Sequence, residues 1–281
     1  MEPHVFAAVL AAAALHAGWN ALLKLQLEPL LAMTLLAGAG GVVALPALMV
    51  FGWPAAAAWP WLMASVALHL GYFLALSEAY RRADMSQVYP IARGGAPLLT
   101  ALAGVLLLSE ALRPLQAVGI AGLGAGVTAM SVVGRRRNTP FDPRAVGFAA
   151  LTAVVICGYT LADGTGARVA GDPHSYAAAL FVLEGIPLIL VALWRRGRAG
   201  LRAMRPFALK GLAGGAMSLA SYWIAIWAMT VAPIPVVAAL RESSVLFAAV
   251  IAVVILKEPL QWGRTLVGVV ILLSLALIRL G

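Results

Sequence analysis

The 281-residue sequence predicts an all-α integral membrane protein with ten transmembrane helices, arranged as two inverted five-helix repeats. Three observations predict it. Hydrophobic residues make up 63% of the chain and charged residues only 11%, well below the roughly 25% charge of a soluble domain, so most of the surface must face lipid. Apolar runs of about 20 residues, the helical length that crosses a bilayer, occur ten times between charges, prolines and glycines. Features of the first five runs return in the second five.

The first run, 5–27, follows Met1-Glu2-Pro3-His4, which lacks the basic start of a cleavable signal, so it is expected to remain as a span. His16, Asn20 and Lys24 recur there every four residues on one helix face, with Trp19 beside them. The second run, 29–51, carries no charge. The third, 59–80, holds His69, Tyr72 and Glu78, and Trp53, Trp59 and Trp61 near its start read as interfacial anchors. The fourth, 86–108, holds Tyr89 and Arg93. The fifth, 112–133, has Gly122 and Gly126 at the small-xxx-small spacing of close helix contacts. The sixth, 145–169, contains Tyr159, Thr160 and Asp163, and also Cys157, the chain's single cysteine, which reads as a small buried hydrophobe. The seventh, 174–194, places Glu184 just before Gly185-Ile186-Pro187, where proline frees a backbone carbonyl and is expected to kink the helix. The eighth, 207–230, carries Gly211, Gly215, Tyr222, Trp223 and Trp227. Arg241 and Glu242 lie in the ninth, 233–256, and 260–279 closes the set.

Orientation follows from the basic residues. With ten spans, fifteen of the 20 Lys and Arg fall on one side, three (Arg113, Arg168 and Arg279) on the other, and Arg93 and Arg241 inside spans. The richer side is expected to be cytoplasmic in a plasma (inner) membrane, with both termini outside. The net charge of +9 therefore reads as orientation; no basic patch with interleaved aromatics suggests nucleic acid.

Arg93 and Arg241 are 148 residues apart, as are Glu110 and Glu258 in the short turns that follow. Tyr89-Pro90-Ile91-Ala92-Arg93 aligns with Val237-Ala238-Ala239-Leu240-Arg241. With small offsets, His16-Ala17-Gly18-Trp19-Asn20 aligns with Ile156-Cys157-Gly158-Tyr159-Thr160, and Gly71-Tyr72-Phe73 with Ser221-Tyr222-Trp223. Residues 1–134 and 145–281 thus read as two halves joined by a cytoplasmic linker at 135–144. Because five is odd, the second half would enter the membrane inverted, the plan of secondary transporters with a midplane site between repeats.

Each half closes with an apolar helix, a Glu in a short turn and a Gly-containing last helix. The turns are Leu108-Ser109-Glu110-Ala111-Leu112-Arg113-Pro114 and Leu256-Lys257-Glu258-Pro259-Leu260. In this the chain resembles the EamA repeats of the drug/metabolite transporter superfamily. The resemblance implies a ten-helix secondary carrier, often an exporter of amino acids or other small metabolites, without metal or nucleotide cofactor. Many such relatives are drawn with cytoplasmic termini, whereas the charge count here places them outside.

Ionisable groups inside spans are expensive and are expected to face the bundle interior. The candidate substrate contacts are His16, Trp19, Asn20, Tyr72, Tyr89, Arg93, Tyr159, Tyr222, Trp223 and Arg241, and Glu184, Glu242, Asp163, Glu78 and Lys24 form a candidate charge network. A guanidinium can hold a carboxylate or phosphoryl group through two parallel hydrogen bonds. The competing role is a structural ion pair, Arg241 with Glu184 or Asp163 and Arg93 with Glu78 or Glu242. Glu184 is a candidate proton carrier or an anchor for a substrate ammonium. No phosphate loop or metal-spaced His/Cys cluster occurs, so neither ATP nor a metal is expected to drive the reaction. The expected function is secondary transport of a small polar metabolite such as an amino acid or organic acid, with proton coupling and a monomeric or homodimeric carrier. The alternative is an intramembrane enzyme acting on a lipid-linked substrate.

Overall fold

The computed structural model describes residues 1–22, 27–82, 85–133, 142–254, 257 and 262–281, and every regular element among them is helical. The helices are α1 (Pro3–Leu22), α2 (Pro29–Phe51), α3 (Trp59–Arg82), α4 (Met85–Leu108), α5 (Pro114–Val133), α6 (Pro143–Val169), α7 (Pro173–Met204), α8 (Ala208–Val231), α9 (Ile234–Arg241), α10 (Ser244–Val254) and α11 (Trp262–Leu280). Prolines open α2, α6 and α7, where the missing N–H is one the first turn leaves unbonded anyway. Six stretches are long and apolar enough to cross a membrane: Pro29–Phe51, Ala56–Arg82, Ile91–Leu108, Pro143–Val169, Pro173–Val231 and Ile234–Ile251.

Two predicted elements differ from their expectation. The ninth run is broken: α9 ends at Arg241, and the chain turns through Glu242 and Ser243 before α10. No proline or glycine marks that turn. The Ser243 hydroxyl instead donates to the Leu240 carbonyl, 2.7 Å away, a local bond that competes with the helix ladder. The seventh run continues past residue 194 to Met204, bending at Gly197, whose φ of 58° and ψ of −163° glycine adopts readily.

Helices pack across the chain in reciprocal pairs: α1 on α8 and α3 on α6, α2 on α7 and α5 on α11. Gly215 lets α8 approach α2 so closely that a Cβ there would stand 2.6 Å from the Gly40 nitrogen. Gly122 and Gly126 face Ser274 and Ile271 of α11, so the small-residue face of α5 is occupied within the chain. Ser109 and Lys257, 148 positions apart, are the non-glycine residues with positive φ among those described, at 54° and 58°. Side-chain contacts tie the chain together at both ends of the bundle. Arg196 pairs with Glu28 at one end of the bundle, while at the other Arg168 pairs with Glu110 and Arg279 reaches the Met1 carbonyl.

Candidate functional site

A cavity of about 50 Å³ lies in the middle of the bundle, enough for a few waters. Seven helices supply its polar and aromatic walls: His16 and Trp19 from α1, His69, Tyr72 and Phe73 from α3, Arg93 from α4, Tyr159 from α6, Phe181 and Glu184 from α7, Ser218, Ser221 and Tyr222 from α8, and Arg241 from α9. Leu36 and Ala37 of α2 complete it. Glu184 comes close to α2 because Gly185 follows it; a Cβ at Gly185 would lie 3.0 Å from the Ala37 carbonyl oxygen. Ser221 fixes α8 against α1 by donating to the Ala12 carbonyl at 2.7 Å.

The two arginines differ. Arg93 Nε stands 2.9 Å from Glu242 Oε2, with both side chains about 95% buried. Two charges in so apolar a place hold each other against a large desolvation penalty, so Arg93 is committed to the turn after α9. The Arg241 guanidinium lies over the face of Tyr222, 4.5 Å from the ring centroid, and no carboxylate among the described residues is within ion-pair distance of it. The expected pairs of Arg241 with Glu184 or Asp163 are therefore not formed. Asp163 accepts hydrogen bonds from two tyrosines, Tyr176 at 3.0 Å and Tyr222, so the aromatic platform under Arg241 is itself anchored to a buried carboxylate.

On the facing wall, His69 Nε2 is 3.7 Å from Glu184 Oε2. The imidazole stacks on Tyr159 with ring centroids 4.1 Å apart, and its Nδ1 is within 3.0 Å of the Ser65 carbonyl oxygen. Trp19 is 6% exposed, and its indole Nε1 has no hydrogen-bond partner among the described residues. The cavity thus presents a guanidinium with no carboxylate at ion-pair distance, a carboxylate and an indole donor between aromatic walls.

Of the residues named from sequence, His16, Trp19, Tyr72, Arg93, Tyr159, Tyr222, Arg241 and Glu184 line the cavity together. Others lie elsewhere. Asn20 donates to the His16 carbonyl at 2.8 Å, within its own helix. Trp223 donates to His174 Nδ1 at 2.7 Å near the start of α7, because its position beside Tyr222 turns it to the next face of α8. Glu78 binds Arg81 and Arg82 one turn away at the end of α3, where water and local cations are nearer than Arg93. Lys24 and the side chain of Tyr89 lie outside the described residues. His69 was visible in the third run without a role. The signal for one was Ser65, four residues earlier.

Residues 144–280 match a family described as the EamA-like transporter family. This part of the chain is similar to the EamA domain. Members of that family are membrane transporters of the drug/metabolite transporter superfamily, in agreement with the apolar helices and the resemblance read from the turns. The matched residues cover α6 to α11, and with them Tyr159, Asp163, Glu184, Tyr222 and Arg241. A solved crystal structure is similar to the whole chain with a TM-score of 0.76, covering 98% of this chain and 95% of that one at 20% identity; the likeness is one of fold. No curated protein matches the chain.

Proposed function

We propose that the protein is a secondary transporter, working in export, for a small organic acid or zwitterion, with alternating access between residues 1–134 and 145–281. One observation carries the substrate class. The buried guanidinium of Arg241 faces the cavity on an aromatic platform, and among the described residues no carboxylate stands within ion-pair distance of it, the neighbouring Glu242 being paired with Arg93. A buried cation with no protein anion in contact is stabilised when the ligand supplies one. The carboxylate of Glu184 across the cavity suits an ammonium on the same molecule. Reciprocal packing of α1 with α8 and α3 with α6, and the matching backbone at Ser109 and Lys257, support two related halves of opposite direction. The charge count supports termini outside a plasma (inner) membrane. The spread of polar residues over seven helices favours a binding site over a localised acid and base acting on a lipid-linked substrate.

The test is a thermal-shift screen of small acids and zwitterions on purified protein, followed by liposome flux with the hits. Arg241→Ala should lose the stabilisation and flux given by the hits. If Arg93→Ala and Arg241→Ala insert normally and bind and transport every wild-type ligand unchanged, the reading is wrong.

A further inference from the structure

His69 has one ring nitrogen whose protonation the backbone decides. Nδ1 lies 3.0 Å from the carbonyl oxygen of Ser65, and a carbonyl can only accept a hydrogen bond, so Nδ1 carries a hydrogen. The Ser65 hydroxyl is also close, 3.1 Å away. In the neutral ring the other nitrogen, Nε2, is then a bare lone pair. It faces Glu184 Oε2 at 3.7 Å in a site where both side chains are over 90% buried. A lone pair and a carboxylate oxygen facing each other in a weakly screening medium repel. One added proton removes the conflict, whether it rests on Nε2 or on Glu184, and leaves the pair with no net charge.

We infer that Glu184 and His69 form a single-proton site on the cavity wall, and that an ammonium group entering the cavity takes the place of that proton. The charge arithmetic makes the exchange natural. A proton with Glu184 and His69 sums to zero, and so does an ammonium with Glu184 once the proton has left to cavity water; no bond other than that to the proton is made or broken. Keeping both cations would leave an extra positive charge facing Arg241, and losing both would leave a bare buried carboxylate.

Other titratable or charged groups face the pair from the surrounding helices. They are His16 on α1, Tyr72 on α3, Arg93 on α4, Tyr159 and Asp163 on α6, Tyr222 on α8, and Arg241 with Glu242 around the α9 break. Most are engaged elsewhere. Arg93 is paired with Glu242, Asp163 accepts from two tyrosines, and Arg241 lies on Tyr222. Among the described residues, His69 Nε2 is the nitrogen within ion-pair distance of Glu184.

The proton site itself is independent of the transport reading; the exchange of proton for ammonium rests on it. The experiment is therefore done on purified full-length protein without substrate. Infrared difference spectra on acidification should show the carbonyl stretch of a protonated carboxylic acid. It should be absent in Glu184→Gln and titrate at a shifted pH in His69→Gln. Methylammonium chloride should diminish the band, relative to sodium chloride at equal ionic strength. In wild-type protein labelled with ¹⁵N-histidine, which needs no substitution to fold, the His69 Nε2 resonance should titrate together with the band. A band that persists in Glu184→Gln, or a His69 resonance and carboxyl band that do not move with pH, overturns the proton site. Insensitivity of the band to methylammonium overturns the exchange. Absence of liposome flux beside a titrating Glu184 band would instead count against the transport reading and leave the proton site standing.

Discussion

Arg168 Nη1 lies 2.6 Å from Glu110 Oε1, tying the end of α6 to the turn that follows α4. The same guanidinium donates to the Met229 carbonyl at 2.9 Å and to the Ala232 carbonyl at 3.2 Å. One side chain thus holds three separate segments at the end of the bundle that carries the termini, including the last, otherwise unbonded carbonyls of α8.

Removing that clamp should be felt in stability. Arg168→Ala is expected to cost about 1.5–3 kcal/mol, the range for hydrogen bonds to charged groups, while Glu110→Gln keeps the two carbonyl contacts and should cost less. Thermal unfolding in detergent measures both. Equal losses would mean that the carbonyl contacts contribute nothing.

The two buried arginines should separate by their effects. Arg93→Ala leaves Glu242 buried without its cation and is expected to cost about 3–5 kcal/mol. Arg241→Ala removes no protein ion pair and should lower stability much less, while abolishing stabilisation by anionic ligands. Replacing Arg93 and Glu242 together by leucine and methionine should recover most of the loss, and a double-mutant cycle gives the coupling. Equal destabilisation by Arg93→Ala and Arg241→Ala would contradict the assignment of their roles.

Gly215 and Gly147 offer a steric contrast. A Cβ at Gly215 would be 2.6 Å from a backbone nitrogen of α2, whereas nothing lies within 4 Å of one at Gly147. Gly215→Ala should push α8 from α2 and cost about 1–3 kcal/mol; Gly147→Ala should leave the melting temperature unchanged or raise it. A Gly215→Ala protein as stable as wild type would show that α2 and α8 separate at no cost.

At the opposite end, hydrogen bonds from Arg196, and then its charge, hold the Glu28 carboxyl below the ordinary glutamate range. Because the folded-state value is the lower one, the pair adds stability above the unfolded-state pKa and loses it as the pH falls through the folded-state value. The pair is partly exposed, so salt should weaken it. Acid unfolding of Glu28→Gln against wild type, at low and high salt, should show a difference that disappears at low pH and shrinks with salt. A difference that grows on acidification would reverse the sign.

Helices and their order were legible because lipid imposes long apolar runs whatever the chain packs against. The cavity was legible in part for the same reason: a charge inside such a run has few places to go, and Arg93, Arg241 and Glu184 all point inward. Partner choice was not legible. Arg241 had two carboxylates in prospect and took neither, because Asp163 is held by Tyr176 and Tyr222 and Glu184 faces His69. The break after Arg241 was equally hidden. Val-Ala-Ala-Leu-Arg-Glu-Ser-Ser contains no helix breaker, and the turn depends on a serine bond and on the pull of Arg93, a residue 149 positions from Glu242.

Ser109 and Lys257 share a left-handed backbone that disfavours any residue with a Cβ, yet one side chain is a small hydroxyl and the other a long cation. What the two turns have in common is a bend in the main chain rather than a spelling. The letter-by-letter likeness to the EamA-like family begins at residue 144, while torsion angles keep a counterpart 148 positions earlier. At these two turns the main chain agrees where the side chains do not.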